Sequence, residues 1–430
     1  MKTGVNYRQY NLIGYEGYYY LFENGICLNA KKNVILIPQN EEIKTQNKNV
    51  NITDNIKDTI KDNINENINK SSGLINSGHS CFINAILQCL VNCTPLTNYF
   101  LTNYKKKSYN TFSNIYQDFI IRYQQKDLNA ANDIVDYFFS CDSSIKQTGS
   151  DSKDVLLEYF DKIQSELKSS EESIIMEEST NPENEREVIK ERIKVDKANY
   201  SIINECFNFW IESEQKCNYV FCSKYCKSLY EIRPEIYFEF YLSEIYNKRY
   251  SYYSSSVSKK RYGNNKLSLE ECFYYYLIEK GACSYCQSPI VIKNKICKLP
   301  NILIIVLNRG INNQYNINID LSQELHLEQF YQKLKYHNSG LNNEICPIYN
   351  LLCGTILEKD YKNPGKGHTI AFATDNKGKY TVYNDSKILY NIDFENIKNK
   401  DVYILFYQMK KNNNSSINNA STYKKKIKYY

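Results

Sequence analysis

A chain of 430 residues can bury one sizeable core and still carry extra segments, because single domains commonly run to about 100–250 residues. Its 42% hydrophobic and 24% charged residues exclude a membrane or wholly disordered protein, and 54 Lys+Arg against 48 Asp+Glu leave only +6, no basis for a nucleic-acid or membrane partner. The first residues lack the zones of a signal peptide and no run approaches about 18 apolar residues. Fifteen cysteines, an odd number, then point to reduced thiols with metal or catalytic uses in a soluble protein of the cytoplasm or nucleus, and not to a disulfide framework.

Residues 1–40 form a short N-terminal extension with no assigned role. Residues 41–72, rich in Asn, Lys, Ile and Asp, have too few large apolar groups to offset the entropy of ordering them and read as a low-complexity linker. The main domain spans 73–409. It is interrupted by a polar insertion near 165–200, either a solvated helix or disordered, and by a long loop near 247–266. Residues 410–430 end in a Lys run and read as a disordered basic tail.

Within the main domain, CFINAILQCL from Cys81 spaces Phe82, Ile83, Ile86, Leu87 and Leu90 by three and four, which predicts a core helix. Val155–Ile163 has the same texture. Ile302–Leu307, entered through Leu299-Pro300, reads as a fully buried strand. From Tyr349 onward YNLLCGTIL, HTIAFAT, KYTVYND and DVYILFYQ read as successive strands. Helices precede a sheet, an α+β order.

Cys81 ends a glycine-punctuated loop at a helix start, where unpaired N–H groups and the helix dipole favour thiolate. Asn76, five residues earlier, is placed to offer its amide to an oxyanion. Taken alone, Cys81 is as readily a small core residue. A nucleophile needs a base, and there are four histidines to choose from. His79 shares the tight loop with Cys81, and His326 and His337 lie in a polar stretch. His368 opens the strand HTIAFAT after the loop Asn363–Gly367. A hairpin centred between Asn376 and Lys377 sets His368 opposite Asp385 with Asn384 alongside, groups suited to fix the imidazole tautomer.

These segments together resemble the ubiquitin-specific protease family. GLINSGHSCFINAILQCL is similar to its Cys box, and Ser150–Leu156 to its second segment, with Asp154 where Glu is usual. Leu299–Arg309 is similar to its Leu-Pro strand, and Tyr349–Leu351, Gly367-His368 and Tyr383-Asn384-Asp385 to its His box. The resemblance implies a papain-like thumb, palm and fingers, with Cys81 as nucleophile, His368 as base, Asn384 as third member, Asp385 assisting and Asn76 at the oxyanion. It implies a thiol-dependent deubiquitinase acting on ubiquitin and ubiquitinated proteins, as a monomer and with no catalytic cofactor. A hydrolase for another ubiquitin-like modifier and a weakly active ubiquitin-binding relative are the alternatives. His79, Thr369 and Gly310 depart from the pattern, the last two by removing aromatic bulk near the tail channel.

Cys283-x2-Cys286 is a metal knuckle, and Cys222-x3-Cys226 a slightly wide partner. Four thiolates from two such pairs suit a structural zinc, and the family resemblance places it in the fingers. Cys217 and Cys272 are spare candidates.

Overall fold

The computed structural model describes residues 11–15, 18–23, 26–32 and 71–410, apart from 169–184, 216, 218, 220–221, 223–228, 254–265, 284–285, 311–316, 333–346, 360–366 and 376–377. Two units divide between residues 68 and 69. In the first, β1 (Asn11–Tyr15), β2 (Tyr18–Glu23) and β3 (Ile26–Lys32) form an antiparallel meander in that order. The stretch 1–40 therefore holds a small sheet, where the sequence suggested only an extension.

The second unit opens with helices α1 (Cys81–Asn92), α2 (Phe112–Gln124), α3 (Asn132–Cys141) and α4 (Ser152–Leu167). Thr111 caps α2 by accepting from the Asn114 N–H, and Asp151 caps α4 by accepting from the Lys153 N–H. Glu166 near the end of α4 accepts from the N–H groups of Phe112 and Ser113, both at 2.8 Å. A carboxylate at a helix N-terminus is worth roughly 0.3–1 kcal/mol and here also fixes the angle between two helices.

Next come α5 (Glu185–Ala198), β4 (Phe209–Gln215), β5 (Leu229–Glu235), β6 (Phe238–Tyr241), α6 (Leu242–Tyr253), β7 (Lys266–Ser268) and α7 (Leu269–Tyr276). Then follow β8 (Ile278–Ala282), β9 (Pro289–Lys298), β10 (Ile302–Asn308), β11 (Asn318–Asp320) and β12 (Glu324–His326). The C-terminal strands are β13 (Ile348–Lys359), β14 (Gly367–Thr374), β15 (Tyr380–Asn384), β16 (Lys387–Ile392) and β17 (Val402–Met409).

The main sheet runs β16-β15-β14-β13-β17-β10-β6, with β12 on β13; β10 and β6 are parallel. Strand β10 shows why its sequence is uniformly apolar. Ile302, Ile304 and Val306 face the core shared with the helices, and Leu303, Ile305 and Leu307 face a second core on the other side. Burying such a side chain contributes roughly 1.5–3 kcal/mol, so a strand covered on both faces cannot alternate with polar residues. Helix α1 lies against β14 and β13, bringing its first residue to the edge of the sheet's helical face.

A second sheet, β5-β4-β9-β8, extends from this body. Helix α5, within the polar insertion, is docked on it and is not merely solvated. Ile189 packs with Trp210, Ile232 and Cys297, and Asp196 accepts from the Trp210 indole at 3.0 Å, Lys298 at 2.8 Å and Arg192 at 3.0 Å. The expected loop at 247–266 is also corrected. It starts inside α6, whose Tyr246 and Ile245 meet the second core; residues 254–265 lie outside the described residues, as does the tail 411–430. Among the described residues no helix is long and apolar enough to cross a membrane.

Candidate active site

The loop before α1 folds back on itself. Gly78 and His79 both take left-handed backbone, at φ +61° and +55°, a conformation Gly adopts freely and His only uncommonly. The reversal lets Asn76 Oδ1 accept from the Ser80 N–H at 2.9 Å and from Ser80 Oγ at 3.2 Å, satisfying an orphan donor at the helix start. Cys81 is the first residue of α1 and is half-buried.

His368 stands near the start of β14, paired to Glu358 of β13. Its Nε2 lies 2.8 Å from Asn384 Oδ1 and 3.8 Å from Asp385 Oδ2. Since a carbonyl oxygen only accepts, Nε2 keeps its proton and Nδ1 is the ring nitrogen that gains or loses one. The imidazole is pushed up to about 9, first by its hydrogen bond to the Cys81 thiol; desolvation opposes this, and Asn384, then the charges of Cys81 and Asp385, add to it. Both the residues the sequence put beside the base are therefore there, with Asn384 the closer.

The register that brings them together differs by one residue from the expected one. The ladder pairs Thr374 with Tyr380 and ends at Ala371 opposite Tyr383. The Asp375 N–H donates to Lys379 O at 2.7 Å, and Gly378 sits at φ +77°. With this register, and a left-handed glycine in the connection, His368 has no direct partner on β15. Side-chain reach, and a chain reversal at Asp385 (φ +51°), close the remaining gap.

Asp385 joins the two halves of the site. It accepts from Asn76 Nδ2 at 3.0 Å and from Asn84 Nδ2 at 2.9 Å, while its carbonyl accepts from the Leu74 N–H at 3.0 Å. Asn76 thus keeps one amide N–H uncommitted on an exposed loop. Asn84, not singled out from the sequence, belongs to a polar stripe of Cys81, Asn84 and Gln88 at helical spacing on an otherwise apolar helix; that stripe was the available signal. Together with Ala85, Thr369, Tyr383 and Asp385 these three line a narrow cleft. Of the other histidines, His79 is exposed, His326 lies between Glu324 and Glu328 at 2.9 and 3.3 Å, and His337 is outside the described residues.

At the end of the smaller sheet, just beyond β4 and between β8 and β9, the thiols of Cys217, Cys222, Cys283 and Cys286 lie within 4.8 Å of one another. Cys217 and Cys286 are 3.7 Å apart, Cys222 and Cys283 3.6 Å. A tetrahedron of about 2.3 Å Zn–S bonds has edges of about 3.8 Å, which these two pairs match, so the set suits a zinc ion. The fourth thiol here is Cys217, and Cys226 lies outside the described residues. Cys272 is buried in the second core, away from this group.

The sequence model for ubiquitin carboxyl-terminal hydrolases matches residues 72–407. The chain belongs to this family. Its members are thiol-dependent deubiquitinating proteases, and this chain is one of them. The yeast SAGA deubiquitinating module, with an altered Sgf73 subunit, is similar at TM-score 0.55 and 21% identity over 81% of this chain and 70% of that one. The Ubp8/Sgf11/Sus1/Sgf73 module bound to ubiquitin aldehyde gives 0.55 at 18% identity over 81% and 71%. The module bound to monoubiquitin gives 0.54 at 18% over 84% and 76%. At these identities the likeness is one of fold, and no curated protein matches the sequence. The helical layer is the thumb of the ubiquitin-hydrolase fold, the main sheet its palm and the zinc-suited sheet its fingers.

Proposed function

We propose that the chain hydrolyses the peptide or isopeptide bond after the C-terminal glycine of ubiquitin, with Cys81 as nucleophile and His368 as base. The observation that carries this is the imidazole held through Nε2 by Asn384, with a thiol at a helix start as the first cause of its raised value. Cys81 Sγ attacks the glycine carbonyl, and Asn76 donates its free amide N–H to the oxyanion. His368 takes the thiol proton as the sulfur attacks and gives it to the leaving amine, then takes one from the water that hydrolyses the thioester and returns it to the departing thiolate. Asp385 keeps Asn76 and the imidazole in register. Ubiquitin as substrate is supported by the family and by the ubiquitin-bound modules of the same fold.

Cys217, Cys222, Cys283 and Cys286 would hold a zinc ion whose contribution is structural, fixing the far end of the fingers. The test of the reaction is labelling with ubiquitin bearing a C-terminal electrophile. Wild type forms a covalent adduct and Cys81→Ala does not; an unlabelled wild type, or equal labelling of the variant, refutes the assignment. The same probe built on other ubiquitin-like modifiers reads the specificity.

A further inference from the structure

We propose that Asn84 is a positioning residue for catalysis, acting through Asp385 to hold the nucleophile helix in register with the base; this rests on the assignment of Cys81 and His368. Asn84 lies one helical turn after Cys81 and is 2% exposed. Its amide divides two donors between the Ile75 carbonyl at 3.2 Å and Asp385 Oδ1 at 2.9 Å. Both partners are acceptors, so the amide has only one workable orientation. That orientation leaves Asn84 Oδ1 buried with no hydrogen-bond partner.

Gln88, one turn further along the same face, shows what a purely structural amide looks like. Its Nε2 donates to Ser72 O at 2.8 Å and its Oε1 accepts from the Tyr123 hydroxyl at 2.6 Å. Both its donor and its acceptor ends are bonded, and it ties the incoming loop and α2 to α1. Asn84 does the same for Ile75 but spends its second donor across the domain, on a carboxylate 3.8 Å from the imidazole, at the cost of an orphaned oxygen. An unpaired buried acceptor is destabilising, so the amide keeps this orientation against a local cost. Breaches of local rules of this kind belong to functional sites.

The geometry makes Asp385 a clamp with two jaws. Asn76 holds one oxygen from the loop before Cys81, and Asn84 holds the other from the helix after it. Without Asn84 the carboxylate is free to rotate about its remaining bond, and both Asn76 and His368 lose a fixed neighbour. The reaction then suffers in the chemical step and not in ubiquitin binding.

Asn84→Leu tests this, since Leu keeps the volume and removes both the donors and the orphaned oxygen. Its melting temperature is expected to fall only slightly, because relief of the orphaned oxygen offsets part of what the Ile75 carbonyl and Asp385 lose. With a ubiquitin C-terminal fluorogenic substrate, kcat is expected to fall about 10- to 100-fold, the scale of an ångström misplacement of reacting groups, with KM within about threefold. Adding Asn84→Leu to Asp385→Ala should lower kcat by less than about twofold more, because Asn84 acts through Asp385 and the two losses are not additive. Wild-type kcat in Asn84→Leu overturns the proposal, as does a loss confined to KM or a double variant in which the two losses multiply. If Asn84→Leu does not fold, Asn84→Ser carries the same comparison. Adduct formation by wild type with the ubiquitin electrophile, run in parallel, separates failure of this proposal from failure of the Cys81 assignment.

Discussion

Gly73→Ala introduces a single methyl group at the joint between the two halves of the site. A Cβ built on Gly73 falls 2.5 Å from Ser386 O, 2.7 Å from its C and 2.8 Å from its Cα, all backbone atoms that cannot rotate away. Real Cβ contacts essentially never fall under 3.0 Å, so the loop carrying Cys81 and the turn after Asn384 must part by at least half an ångström. Gly73 is not in left-handed backbone, and Ala carries no conformational penalty there; the effect is steric. Overpacking of this kind costs about 1–3 kcal/mol. If a displacement of about 1 Å costs about 100-fold in rate, half of that costs about 10-fold. Gly378→Ala is the control, a strained position at φ +77° where the added methyl group meets nothing within 4 Å. It should lower the melting temperature slightly and leave kcat alone. Measured by thermal unfolding and cleavage of a fluorogenic ubiquitin substrate, Gly73→Ala with a wild-type melting temperature and kcat within twofold refutes the close approach.

The raised His368 value fixes a pH window. The stabilisation from its protonated form is fully present below its ordinary 6.5 and is lost as pH rises through about 9. Turnover should hold a plateau through neutral pH and fall near 9. Because the Cys81 thiol is the first cause of the shift, an NMR titration of Cys81→Ala should find His368 titrating lower than in wild type; an unchanged titration contradicts the contact. At the fingers, Cys217→Ser should reduce bound zinc and lower the melting temperature, measured by metal analysis and thermal unfolding, whereas Cys226→Ser should retain zinc. The opposite result would restore Cys226 as the fourth ligand.

Features built from local spacing were readable in the sequence. The helix from Cys81, the doubly buried Ile302–Leu307 strand and the C-terminal strands each announce themselves by period or by continuous apolar character, and His368 stood out among four candidates by its place at a strand start. What failed depended on single residues or on distant partners. The hairpin register turns on Gly378, whose backbone is left-handed. Helix α5 looks solvated because its anchoring partners, Trp210 and Lys298, lie in other strands. Cys217 was secondary because a five-residue spacing to Cys222 is less familiar than the shorter one to Cys226, although thiol distance and not sequence spacing decides a metal site. The role of Asp385 as a joint was only half visible, since Asn84 is some 301 residues away.

That separation has a consequence for a protease made inside a cell. A ribosome adds roughly 5–20 residues per second, so the reactive thiol emerges about 15–60 seconds before the strand that brings its base and the carboxylate that steadies both. Throughout that interval the nascent chain carries a cysteine with no proton acceptor and no oxyanion donor held in place. Proteolytic competence is thus deferred by topology until the segments that carry His368 and Asp385 have been made.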